Sequence, residues 1–152
     1  MSIVVDSPAS LSEAVGSTAT GEWFAIDQER IQAFADATED WQWIHLDAER
    51  AASGPFGATI AHGYLTLSLL PRLTRGLLSV AGTSMVVNYG LDKVRFLQPV
   101  VVDSRVRAVT EIVSVEPAPQ GHRVGLRTTV EIEGAERPAL VAETIGLFVP
   151  AA

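Results

Sequence analysis

The stretch from residue 61 to residue 80, Ala61-His62-Gly63-Tyr64-Leu65-Thr66-Leu67-Ser68-Leu69-Leu70-Pro71-Arg72-Leu73-Thr74-Arg75-Gly76-Leu77-Leu78-Ser79-Val80, decides the fold. Its leucines do not keep to one narrow stripe, so a helix built from them buries most of its circumference. The helix is expected to start near His62 and to be the longest in the chain. Pro71 is expected to kink it or to remove one backbone hydrogen bond. Beyond Gly82 the texture changes to four long β-type runs, Ser84 to Leu97, Ser104 to Glu116, His122 to Glu133 and Ala139 to Val149, separated by segments rich in Pro and Gly. The third run alternates most cleanly, with Val124, Leu126, Thr128, Val130 and Ile132 on one side and Arg127, Thr129, Glu131 and Glu133 on the other. Long antiparallel strands following one nearly all-apolar helix predict an α+β fold in which a curved sheet wraps that helix.

Upstream, residues 1–20 are rich in Ser, Ala and Thr, with a short helical possibility from Leu11 to Val15 and Gly16 as its stop. Glu22 to Ile26 reads as a short strand. Asp27 reads as the N-cap of a helix whose Ile31, Phe34 and Ala35 share a face and which frays before Asp40. Asp47 caps a further short turn through Ala52, and Ser53-Gly54-Pro55-Phe56-Gly57 is a turn leading into the apolar stretch.

A chain of 152 residues without a linker, repeat or low-complexity tract is expected to be one domain, 1–152, large enough for a core without disulfides. The absence of cysteine excludes thiol nucleophiles and thiolate metal sites and fits a reducing compartment. A net charge of −7 without a basic stripe argues against nucleic acid as a partner. The start of the chain lacks the pattern of a secretory signal, and the most apolar segment is interrupted by Arg72 and Arg75. The expectation is a cytoplasmic protein that does not enter membranes.

The residues able to carry chemistry gather between Phe34 and Val100. In Thr38-Glu39-Asp40-Trp41-Gln42-Trp43-Ile44-His45-Leu46-Asp47, a carboxylate and an imidazole stand five positions apart at the end of a helical pattern. On spacing alone, Asp40 reads as a loop cap and His45 as a helix-end residue. The segment Ile60-Ala61-His62-Gly63-Tyr64 then opens the apolar helix, and Asn88-Tyr89-Gly90-Leu91-Asp92-Lys93-Val94-Arg95-Phe96-Leu97-Gln98-Pro99-Val100 follows it. No nucleotide-binding glycine loop, His-Glu-x-x-His motif or Gly-x-Ser-x-Gly elbow is present.

Taken together, these segments resemble the (R)-specific enoyl-CoA hydratases, the MaoC-like branch of the hot-dog fold. Members of that family carry an Asp, a variable residue, Asn-Pro, an aliphatic residue and His, commonly preceded by Ser-Gly. Asp40, Ile44, His45 and Asp47 agree with the pattern, whereas Glu39, Gln42 and Trp43 depart from it.

The resemblance implies hydration of trans-2-enoyl-CoA to (R)-3-hydroxyacyl-CoA, with Asp40 and His45 as the catalytic acid/base pair. One group takes a proton from water and a proton is returned to the α-carbon on the same face. Gly63 would offer its backbone N–H to the thioester oxygen. Gln42, His62, Tyr64, Asn88 and Tyr89 would border the substrate, and Lys93 and Arg95 would meet the phosphates of coenzyme A. Read from the residues alone, those two bases are the wet face of a strand in preference to phosphate ligands, and Trp41 and Trp43 read equally as pocket, core or interface aromatics. Coenzyme A is then part of the substrate, no metal or other cofactor is called for, and a homodimer is expected. The alternatives are a hot-dog thioesterase, in which Asp40 or Glu39 activates water against the thioester carbon, and a noncatalytic acyl-CoA-binding domain.

Overall fold

The alternation read beyond Gly82 is carried into four long strands in a computed structural model that describes residues 1–152. In chain order the elements are β1 (Ile3–Val5), a 3₁₀ helix (Pro8–Ala14), β2 (Thr18–Thr20), β3 (Phe24–Ala25), α1 (Gln28–Thr38), α2 (Trp43–Leu46), α3 (Ala48–Ala52), α4 (Gly63–Ser68), α5 (Leu70–Leu73), β4 (Leu78–Val80), β5 (Thr83–Phe96), β6 (Arg105–Ala118), β7 (Gly121–Ile132) and β8 (Leu140–Pro150). The main sheet runs β2-β6-β7-β8-β5, with β3 also pairing β6, and its pairings are antiparallel. β1 and β4 form a separate parallel pair.

The dry side of β7 and its neighbours packs on the apolar helical segment. Leu65, Leu69, Leu70 and Leu73 join Ala108, Val124, Val130, Ala142 and Phe148 in one buried cluster. Burial of each such leucine contributes about 2 kcal/mol before entropic costs. Where the alternation along a strand is broken, the register shifts. β5 carries such irregularities between Thr83 and Met85, Asn88 and Gly90, and Leu91 and Lys93, and each extra residue bends and twists the strand.

The helix expected from His62 toward Val80 is shorter than the apolar pattern suggests. Pro71 has no N–H to bond back one turn, and the segment is divided into six residues before Leu69 and four after it. Gly76 then adopts φ 76°, a left-handed turn that ends helical structure, and Leu78–Val80 leaves as a strand against β1. Asp27 and Asp47 cap α1 and α3 as expected, accepting from the Arg30 and Arg50 N–H groups at 2.9 Å. No helix is long and apolar enough to cross a membrane.

Candidate active site

The loop between α1 and α2 brings the carboxylate and imidazole together. α1 ends at Thr38, and Glu39 takes a left-handed conformation with φ 60°. A glycine reaches that conformation without steric cost, which accounts for the Gly preferred there in the pattern the chain resembles. The turn presents Asp40, whose Oδ1 faces the Gln42 N–H at 3.4 Å. One short helical turn later, His45 is buried to 6% exposure.

The His45 ring is held by Nδ1, which lies 2.7 Å from the Ile60 carbonyl oxygen. A carbonyl only accepts, so Nδ1 carries the proton and the neutral ring keeps its lone pair on Nε2. Ile60 is fixed in turn: its N–H donates to the Ile44 carbonyl and it bridges Val101, while the Ala61 N–H donates to Val100. The His45 main chain has a separate clamp from the first residue of α1. Gln28 Nε2 donates to the His45 carbonyl at 2.8 Å, and Gln28 Oε1 accepts from the buried Thr59 hydroxyl at 2.6 Å.

Burial pushes the His45 imidazole below its ordinary pKa. The bond to Ile60 opposes this, the neighbouring His62 adds to it, and the charge of Asp40 opposes it. His45 is therefore a neutral base at physiological pH, with Nε2 as its working atom.

His62 is 3% exposed and lies against His45, the two rings 3.7 Å apart and 23° from parallel. Its Nε2 is 3.0 Å from the Asp40 carbonyl oxygen and 4.0 Å from Asp40 Oδ2. Polar atoms of Asp40, His45 and His62 all lie within 4.8 Å of one another. Two of the ring nitrogens in the trio, His45 Nδ1 and His62 Nε2, are already turned to main-chain carbonyl oxygens.

A cavity of about 240 Å³ opens beside this group, lined by His45, Gly63, Thr66, Phe96, Leu97 and Val100 among others. Gly63 is the first residue of α4, so its N–H has no partner within the helix. A Cβ at Gly63 would stand 3.1 Å from the Phe96 ring, so the missing side chain makes room for Phe96 at the end of β5. Because α4 has six residues, the N–H itself, not a long helix dipole, is what Gly63 brings.

The other expected site residues are distributed more widely. Gln42 is exposed beside Asp40, and Tyr64 is 69% exposed with its ring edge-on to Phe96. Asn88 and Tyr89 border a different cavity of about 740 Å³, between the helical segment and β5 to β8. Lys93 and Arg95 are exposed on β5 and line neither cavity. His62 is packed behind His45 and likewise lines neither. Trp43 packs against Gly54 under the Arg50 guanidinium, and the Trp41 indole N–H donates to Asp36. Gln28, Thr59 and the Ile60 carbonyl were not singled out by sequence reasoning. A main-chain acceptor leaves no signature in a sequence, and Gln28 and Thr59 are separated by 31 residues.

Comparison with known proteins identifies the family. Residues 11–134 match the family described as a MaoC like domain. The 3-hydroxyacyl-thioester dehydratase Z of Mycobacterium tuberculosis is 52% identical over 147 residues, covering 96% of this chain and 95% of the relative. Nodulation protein N of Rhizobium leguminosarum bv. viciae is 45% identical over 150 residues, covering 95% of this chain and 90% of the relative. Among solved structures, the unliganded R-hydratase PhaJ1 from Pseudomonas aeruginosa superimposes with a TM-score of 0.73 at 28% identity, covering 91% of this chain and 83% of that one. With the family matched over most of its length and the sheet-and-helix architecture shared with an R-hydratase, the chain belongs to the MaoC-like dehydratases: it is a hot-dog enzyme and a hydro-lyase.

Proposed function

We propose that the chain is an (R)-specific enoyl-CoA hydratase that adds water in syn fashion to trans-2-enoyl-CoA, giving (R)-3-hydroxyacyl-CoA, and that it runs the dehydration in reverse. One observation carries this reading: His45, with its lone pair on Nε2, and Gly63, with its unpaired N–H, line one cavity, and Asp40 lies within 4.8 Å of the imidazole. The relative named as a 3-hydroxyacyl-thioester dehydratase supports the same substrate class.

In the hydration direction His45 Nε2 takes a proton from water as the water oxygen bonds to the β-carbon. The electron pair of the double bond moves toward the thioester oxygen, which the Gly63 N–H stabilises. One proton is then delivered to the α-carbon from the Asp40–His45 pair, so that water has been added across the bond. Asp40 favours the imidazolium formed on the way. Asn88 and Tyr89 would receive the acyl chain, Gln42 and Tyr64 would flank the approach, and the exposed side chains of Lys93 and Arg95 would meet the phosphates of coenzyme A. The reaction uses no metal or redox cofactor.

The test is incubation of the purified protein with crotonyl-CoA and longer enoyl-CoAs, following loss of conjugated-enoyl absorbance and release of thiol in parallel. Absorbance should fall without thiol release, and chiral analysis should give the (R) product. Thiol release would turn the reading to a thioesterase, and a mainly (S) product would contradict the stereochemical assignment. The same reading makes the protein a homodimer joined along β5, whose outer edge no other strand covers.

A further inference from the structure

The polar atom that the proposed reaction leaves without a task is His62. It is almost wholly buried and lines neither cavity, yet it touches both members of the acid/base pair. Its Nε2 faces the main-chain oxygen of Asp40 at 3.0 Å, so the proton sits on Nε2 and the bond is a donation from His62 to the Asp40 carbonyl. Its ring is clasped between His45 at 3.7 Å and Phe34 at 4.9 Å. Its Nδ1 is buried without a hydrogen-bond partner. A buried polar atom left unpaired carries a cost of its own, so the ring is retained here for what its other nitrogen and its face do.

Asp40 itself needs that support. It sits in a turn after a helix end, its side chain is 50% exposed, and its carboxylate is fixed only by a 3.4 Å contact from the Gln42 N–H. His45 by contrast is clamped at both ring and main chain. Without the His62 bond, the turn has little to keep the carboxylate within reach of the imidazole.

We propose that His62 is a positioning residue: its Nε2–H ties the Asp40 main chain in place while its ring backs the His45 imidazole, holding carboxylate and imidazole toward the same substrate atoms. The proposal rests on the hydratase reading for its kinetic consequence. The two contacts can be separated by substitution. His62→Gln keeps an N–H donor at similar reach and loses the ring, whereas His62→Phe keeps a ring and loses the donor.

The expected result is that His62→Phe lowers kcat by about 100-fold with little change in KM, the scale of loss produced by misplacing a catalytic group by about 1 Å. His62→Gln should stay within about tenfold of the unsubstituted enzyme. In both variants the acid limb of the kcat/KM profile should move only slightly to higher pH, because burial, the main cause of the lowered His45 pKa, remains, and of the two ionisable groups facing His45, His62 and Asp40, only the smaller lowering contribution of His62 is removed. A His62→Phe enzyme with normal kcat would overturn the proposal. So would variants that lose activity equally and in step with their loss of thermal stability.

A second measurement needs no turnover and no substitution. Nitrogen-15 NMR of the unsubstituted protein should show His62 protonated at Nε2 and hydrogen bonded across to the Asp40 carbonyl. Protonation at Nδ1 instead would overturn the proposal even if every variant misfolded. If the unsubstituted protein hydrated no enoyl-CoA, the hydratase reading would fail, and the NMR result would still decide the His62 contact.

Discussion

At His45, burial and the adjacent His62 pull the pKa down while the Ile60 carbonyl and Asp40 pull it up, and burial dominates. Two predictions follow from that balance. First, Asp40→Asn and His45→Gln should each lower turnover by about 100-fold or more while the circular dichroism spectrum is unchanged, as for positioned acid/base groups. A folded variant working at near-normal rate would remove that residue from the pair. Second, stability should depend on pH through His45. The unfolded chain protonates this imidazole near the ordinary value of about 6.5, whereas the folded chain resists until lower pH. The unfolded state then binds more protons in that window, so stability is complete above about 6.5 and falls as pH drops toward the folded pKa. Urea unfolding at pH 7.5 and 5.5 should show a smaller loss for His45→Gln than for the unsubstituted protein, and equal losses would assign the effect to other groups. The spacing of Asp40 and His45 alone reads as a loop cap and a helix-end residue, and only the family resemblance picks them out as a pair, whose polar atoms the fold brings within 4.8 Å. Their support was not legible in the sequence: Gln28, Thr59 and His62 act on main-chain oxygens or through contacts far apart in the chain, which spacing does not encode.

Among the elements, the long strands were legible to within one or two residues, because a two-residue alternation stops abruptly at Gly and Pro. The helical segment was not, because its leucines do not keep to one helical stripe, and Leu77 to Val80 is as suitable for a strand as for a helix. What the short α4 retains is a first residue whose N–H is free, and this gives a direct test of Gly63. Proline is tolerated at the first helical position and removes only the N–H. The preceding His62, at φ −59° and ψ 138°, already has the backbone conformation favoured before proline. Any Cβ at Gly63 crowds Phe96, so both arms carry Phe96→Leu to relieve that contact. Gly63→Pro/Phe96→Leu is expected to turn over about 100-fold or more slowly than Gly63→Ala/Phe96→Leu, with melting temperatures alike, since removing one such donor costs on the order of 3 kcal/mol in the transition state. Equal rates in the two double variants would show that the glycine serves packing against Phe96 alone.

For the molecule as a whole, the question is what lies beyond β5. The strand is 14 residues long, pairs only with β8, and holds its charged residues, Asp92, Lys93 and Arg95, toward its end. Met85, Val86, Val87, Tyr89 and Leu91 are each at least 43% exposed along the uncharged part. Isolated sheets protect such edges with charges, prolines or bulges. β5 has register irregularities but neither a proline nor a charge before Asp92, so twist alone guards an apolar edge of this length. Pairing of two copies satisfies the free backbone groups and covers the apolar side chains at once. The net charge of −7 repels a second copy, but the acidic residues other than Asp92 lie outside β5, where separation and salt weaken the effect. Light scattering at micromolar concentration is therefore expected to give twice the chain mass. Val87→Lys places a charge on the edge without altering a residue that lines either cavity beside the helical segment, and it should shift the protein toward the monomer. If the monomeric variant retains full activity, each copy holds a complete site. If its activity falls with its mass, the cavity beside β5 is completed by the second copy. An unsubstituted protein that scatters as a monomer and works at full rate would rule out pairing along β5.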